Sequence, residues 1–303
     1  MTVTNKYTLY HDDCLTAMKS MNANSVDFIV TDPPYFIDGM GDEWSDSSLT
    51  KKATNAKVVG GLPVGMKFDR EQGYKLQEFM TPIAKEYFRI LKPGGFCVVF
   101  SQARLYHRMA IAIEDAGFEM RDMMGWKYEG QAKAFSQDHF IKKNKSLLDK
   151  EKEDLLNNMK GWKTPQLKPQ IEPMTLAQKP KEGTFVDNWC KYGVGLLNTT
   201  ISLDGMFPGN IMEVSKQEKF HDEEYKIEHF TTKPVRLIEH IIKLFTQRGQ
   251  IVFDSFCGSG SHGVAALKCG RKFIGVEREE KYFDIASKRL KNVQSIEDFY
   301  EQC

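Results

Sequence analysis

The sequence has no Cys-x-x-Cys pair, no long apolar run and almost no net charge. Its six cysteines (Cys14, Cys97, Cys190, Cys257, Cys269 and Cys303) are scattered along the chain. That argues against a zinc ribbon and against a disulfide framework, and those lying in apolar runs read as reduced core thiols. The seven histidines show no metal-ligand spacing. No stretch approaches the roughly 20 apolar residues of a membrane span, and the opening MTVTNKYTLYHDD lacks the basic and apolar regions of a secretory signal. A cytoplasmic location is expected. A formal net charge of +1 announces no polyanionic partner, so any nucleic-acid surface has to be a local patch.

What is present is enough apolar and aromatic material for a buried core, 41% and 12% of 303 residues. This fits one large domain, or a core domain with a smaller one inserted. KYTLYHDD (6–13) reads as a strand and CLTAMKSM (14–21) as a short helix. A strand of apolar residues, Val26 and Phe28 to Val30, follows. Residues 36–69 are polar and Gly-rich and read as a mobile loop. Beyond them a helix (74–91), a strand (92–101), a helix (105–117) and a strand (118–128) alternate, which is the pattern of an α/β sheet. Alternation resumes with a helix over 233–245, begun by Pro234, and a strand–turn–helix–strand–helix unit over 249–290.

Between them the pattern breaks. From Gln131 to Lys181 there are eleven lysines against six acids, punctuated by prolines. This is either a solvated face or a small inserted module that touches phosphates.

Two bends carry the chemistry. In VDFIVTDPPY the apolar strand stops at Asp32, because Pro33 and Pro34 cannot donate to a ladder. By itself this is equally a rigid turn. In IVFDSFCGSGSHGVAAL a strand ends at Asp254 and enters a turn with Gly258 and Gly260, and a helix follows at once. Small residues here allow close backbone approach to a ligand and point helix amides at it. Glu277 ends the next strand, 23 residues after Asp254. An acid at that distance is placed to accept hydrogen bonds from ribose hydroxyls. The turn lacks G-x-G-x-x-G spacing, so the ligand need not carry a pyrophosphate, and S-adenosylmethionine is the cofactor suggested.

TDPPY and FDSFCGSGS resemble the catalytic and cofactor motifs of the amino-directed DNA methyltransferases, which act on N6 of adenine or N4 of cytosine. The catalytic motif comes first and a basic segment separates the two, which resembles the permuted β subgroup. KPQIEPMTLAQKP and WCKYGVGLLNTT further resemble phage and prophage members. The likeness spans roughly 6–35, 85–130 and 165–290.

It implies an α/β fold: a doubly wound, mostly parallel seven-stranded sheet of the Rossmann-like class I methyltransferase type, permuted. The catalytic domain would comprise 1–130 and 206–303, with a target-recognition insertion at 131–205. It implies that Asp32 and the Pro33 carbonyl accept the two N–H bonds of the target amino group, that Pro34 stiffens the bend, and that Tyr35, with Phe36 beside it, stacks on a base flipped from double-stranded DNA. Asp254, Phe256, Gly258 and Gly260 fall on the methionine side of the cofactor and Glu277 on its ribose. Ser261 belongs to the same turn, where Ser261-His262 departs from the threonines more usual in the family. Asp13 would approach the adenine amino group, or is a surface acid. Thr232 and Lys233 match the motif that closes over the methionine carboxylate, though Lys233 also fits an ordinary helix-start lysine. Dimerisation is common in the subgroup, and a restriction endonuclease partner is not written in the sequence. Asp in the first motif position favours adenine over cytosine. Methylation of RNA or of protein amides, and a DNA-binding protein without catalysis, are more distant readings.

Overall fold

The computed structural model describes residues 1–34, 70–130, 132, 134–215 and 233–293. The loop expected at 36–69, together with Tyr35, Phe36 and Thr232, lies outside the described residues. Among the described residues nine strands form one sheet: β1 (Thr2–Val3), β2 (Tyr7–His11), β3 (Val26–Thr31), β4 (Leu91–Phe100), β5 (Glu119–Lys127), β6 (Ile171–Gln178), β7 (Ile211–Glu213), β8 (Ile251–Asp254) and β9 (Lys272–Glu277). Their order is β1-β2-β9-β8-β3-β4-β6-β5-β7. The run β2, β9, β8, β3, β4 is parallel throughout, and β6 is antiparallel to both β4 and β5.

Among the described residues the sheet has nine strands where the resemblance implies seven. The edge strands β1 and β7 have two and three residues, too few to show a period of two. β6 falls inside the stretch 131–205 yet is a full member of the sheet. The helices of this stretch are α4 (Asp138–Lys143), α5 (Asp149–Asn158) and α6 (Phe185–Tyr192).

β3 lies at the centre because all six of its residues are buried, as a parallel strand covered on both faces requires. Alternation divides its side chains between two cores from Phe28 onward, and a register shift between Val26 and Phe28 turns Val26 to the opposite face. Phe28 and Val30 join the core beneath α7 (Val235–Phe245), α8 (Ser261–Lys268) and α9 (Glu280–Lys291). Val26 and Ile29 join the core beneath α1 (Cys14–Lys19), α2 (Glu71–Ile90) and α3 (Tyr106–Asp115). The sheet is therefore doubly wound, as expected.

At the amino end of β3, buried Asp27 ties three strands together. Its Oδ1 accepts from Lys92 Nζ at 2.6 Å and its Oδ2 from the Ile251 backbone N–H at 2.7 Å. Cys14, Cys97, Cys257 and Cys269 are buried free thiols, and burial followed by the Asp13 charge pushes Cys14 up to about 12. No described helix is long and apolar enough to cross a membrane.

Candidate active site

Ligands of open α/β sheets bind beyond the carboxyl ends of the strands, and here the two bends arrive side by side. β3 and β8 are parallel neighbours in register Phe28↔Val252 and Ile29↔Phe253. Thr31, the residue before Asp32, donates its hydroxyl to Asp254 Oδ1 at 2.7 Å. The Phe256 N–H donates to the same oxygen at 3.0 Å, and His262 Nδ1 donates to Oδ2 at 2.6 Å. Asp254 is only 1% exposed, and a buried carboxylate is tolerable because donors surround it. Ser255 lies 3.2 Å from the Thr31 hydroxyl and bonds the Tyr87 hydroxyl of α2. Burial holds that phenol well above its ordinary value, so it stays neutral.

Lys233 enters from the residue before Pro234. Its ammonium is buried and bonds Asp32 Oδ2, with Glu172 Oε1 at 2.9 Å on its other side. Burial alone pulls an ammonium down. The Asp32 and Glu172 charges outweigh it and hold Lys233 above its ordinary value. Lys233 Nζ also lies 5.0 Å from the centre of the Phe100 ring, and that ring stacks on His262 at 6.0 Å. Asp32, Lys233, Phe100, His262, Asp254 and Thr31 thus form a closed circuit of contacts joining the two bends.

The turn after β8 is built for close approach. Gly258 and Gly260 sit at φ 50° and 81°, where a Cβ is strained. A Cβ on Gly260 would also meet Ala286 Cβ at 3.1 Å. Gly260 is the N-cap of α8. Glu277, at the end of β9, accepts from the Gly258 N–H at 2.9 Å and from the Glu279 N–H at 2.8 Å. Burial pushes its carboxyl above the ordinary range, against those two N–H bonds. From beneath, buried Arg289 of α9 donates to the Ser259 carbonyl at 2.6 Å, to the Ser259 hydroxyl at 3.0 Å and to the Ser261 hydroxyl at 3.3 Å.

A family model described as DNA methylase, of N6/N4 methyltransferases, matches residues 26–288, from the start of β3 into α9. The chain belongs to this DNA methylase family. The chain is 30% identical over 320 aligned residues to the Type II methyltransferase M.HindIII of Haemophilus influenzae, covering 97% of this chain and 98% of that one. It is 26% identical over 286 residues to the Type II methyltransferase M2.DpnII of Streptococcus pneumoniae, covering 94% and 90%. Two solved structures share the fold. The M1.HpyAVI–SAM complex has a TM-score of 0.55 at 21% identity, over 94% of this chain and 98% of that one. The cytosine-N4-specific PvuII DNA methyltransferase has a TM-score of 0.62 at 18% identity, over 99% and 92%. As a DNA methylase the protein uses S-adenosylmethionine.

The expected site residues are placed as follows among the described residues. Asp32, Pro33, Lys233, Asp254 and Phe256 lie along one seam, with Pro34 next in the chain and Gly258, Gly260 and Glu277 in the adjoining turn. Asp13 caps α1, accepting from the Leu15 and Thr16 N–H groups at 2.9 and 3.3 Å, one residue after Asp12 N bonds the Glu277 carbonyl. Ser261 is turned toward Arg289. Tyr35 and Thr232 lie outside the described residues. Sequence reasoning missed Glu172, the second carboxylate on Lys233, and Arg289, the clamp under the turn. Glu172 had one signal available, an acid opening a short β-branched and apolar run.

Proposed function

We propose that the protein transfers a methyl group to N6 of an adenine flipped out of double-stranded DNA. The observation that supports this reading most is the Thr31–Asp254 bond, which joins the residue before Asp32 to the end of β8. Bound S-adenosylmethionine supplies an electrophilic methyl. The residues present fit it. Glu277 accepts two backbone N–H bonds, and a carboxylate has about four lone-pair positions, so ribose hydroxyls find acceptors there. The positive-φ glycines admit the methionine end, and the Asp254 and Glu277 carboxylates suit a sulfonium cation.

An exocyclic amino nitrogen is a poor nucleophile while its lone pair is conjugated with the ring. The Asp32 carboxylate and the Pro33 carbonyl accept its two N–H bonds and turn the lone pair out of conjugation, which is positioning with electrostatic preorganisation. Lys233 fixes the rotation of the Asp32 carboxylate, and Glu172 fixes Lys233. Asp32 is the nearest acceptor for the proton released after transfer. Flipping the base costs a few kcal/mol, of which stacking on Tyr35 offsets about 1–3 kcal/mol.

The insertion at 131–205 reads the site in this proposal. Its segment 134–168 leaves Trp162, Leu167 and Phe140 exposed among lysines, which supports contact with bases and phosphates. Asp in the first position of the motif supports adenine. Sequencing of DNA from cells expressing the protein, with nucleoside mass spectrometry, tests this. N6-methyladenine in a fixed context is expected, and N4-methylcytosine alone would overturn the adenine assignment.

A further inference from the structure

A cavity of about 280 Å³ opens at the first turns of α2 and α3. It is lined by Arg70, Gly73, Tyr74, Arg104, Leu105, His107 and Arg108. No acid is among these lining residues, and their ionisable side chains are three guanidiniums, an imidazole and a phenol. Two of the three guanidiniums are held in place. Arg108 Nη1 donates to Gln77 at 2.9 Å, and its Cζ lies 4.1 Å from the centre of the Tyr74 ring. Arg104 Nη2 donates to Gln72 Oε1 at 2.5 Å. Buried Gln72 keeps an Nε2 without a partner among the described residues, a further N–H donor beside Arg104. Gly73 exists in this helix for the same packing, since a Cβ there would lie 3.0 Å from Arg108 Cγ. A wall of donors with planar forks suits an anion with several oxygens, above all a phosphate.

Position names the source. Arg104 follows Phe100 by four residues, a reach of at most about 14 Å, and Phe100 carries the Lys233 ammonium that holds Asp32. α3 begins just past the carboxyl end of β4, and Asp32 follows the carboxyl end of the parallel neighbour β3, so the cavity and Asp32 share one edge of the sheet, along which a strand delivering a base would run its phosphates. Resting on the DNA methylase reading above, we infer that the Arg70–Arg104–Arg108 cavity grips a backbone phosphate of the DNA strand that carries the target base, separately from the lysine-rich segment.

The test uses the full chain with S-adenosylmethionine and a mixed-sequence duplex, followed by fluorescence anisotropy between about 50 and 200 mM salt. The Arg70 side chain makes no hydrogen bond or ion pair among the described residues, and its backbone carbonyl, which accepts from the Gly73 N–H at 3.2 Å, is untouched by substitution, so Arg70→Gln removes charge without removing a contact, and Arg70→Gln/Arg108→Gln is the stronger variant. The plot of log affinity against log salt becomes shallower by about 0.9 for each lost phosphate contact, while cofactor affinity stays at the wild-type value in both variants and the unfolding midpoint stays there for Arg70→Gln. An unchanged slope in both folded variants overturns the inference. So does thermal stabilisation of the wild type by inorganic phosphate with an unmoved DNA slope, which marks a free-anion site, or a slope that responds for duplex RNA and not for DNA. A shallower slope in a protein whose wild type transfers no methyl group keeps the phosphate contact and removes the proposed activity. Transfer with an unchanged slope does the reverse.

Discussion

Asp254 accepts three hydrogen bonds in a site that is 1% exposed, while Trp162, on the lysine-rich segment 134–168, is 73% exposed. Around the first, partners come from β3, from the turn and from α8. Around the second there is scarcely a core: α5 buries no residue and α4 buries only Ile141. Under the proposed function the contrast has a physical reason. Donors and acceptors that act on a reacting centre must be fixed before the substrate arrives. A surface that meets a long polyanion works through charge and exposed rings, which need no burial. Substitutions in the first region should therefore damage chemistry or folding, and those in the second should change binding alone.

The largest effect is expected at Asp32. Asp32→Ala should lower kcat by about 10³-fold or more, with cofactor affinity near wild type by calorimetry. Loss of cofactor binding instead would show that the two bends do not divide the work as described. Next comes Lys233. Lys233→Ala leaves Asp32 and Glu172 facing one another without the buried cation, which should cost about 3 kcal/mol of stability in urea unfolding. A loss below about 1 kcal/mol would mean the cluster is not structural.

Glu277 gives a smaller, pH-dependent effect. Its carboxyl is raised above the ordinary 4.5, by burial first, so the folded chain takes up this proton more readily than the unfolded chain. The sign is then fixed: its contribution to stability is lost as pH rises from about 4.5 through the raised value. Cofactor affinity moves oppositely, because ribose hydroxyls need the ionised acceptor, and it should fall as pH drops through the same window. Glu277→Gln should flatten both curves and weaken binding at neutral pH. A wild-type affinity that is level across this window would remove Glu277 from the ribose.

How much was legible depends on whether a residue's role was local. The strand ending at Asp32 and the turn through Gly258 and Gly260 announce themselves, since buried apolar runs and positive-φ glycines leave a mark on adjacent positions. Glu172 did not. Its strand, β6, is flanked by prolines and lysines and interrupted by Pro173, and its place in the sheet is set by pairing with β4 and β5, far away in the chain. Arg289 was hidden for a related reason. On an amphipathic helix it looks like one more surface cation beside Lys288 and Lys291, and only the packing of α9 under the cofactor turn turns it inward. Asp13 shows the converse. Its place after a strand made it a ligand candidate, yet the same place makes it the N-cap of α1, a role that Asp fills by its own chemistry.

The smallest expected stability change lies in the exposed region, and it sharpens the comparison most. Trp162→Ala removes a large ring that is 73% exposed, so unfolding should shift by no more than about 0.5 kcal/mol. If that ring stacks on a base or lies along the duplex, DNA affinity should still fall by about 1–3 kcal/mol, the usual loss for one stacked aromatic. Cofactor affinity should not move, because the cofactor turn sits between β8 and α8, outside the segment. A folded variant with unaltered DNA affinity would transfer the reading role to another part of 131–205. A destabilised variant would mean that the segment packs on something in solution, and that its openness is not its working state.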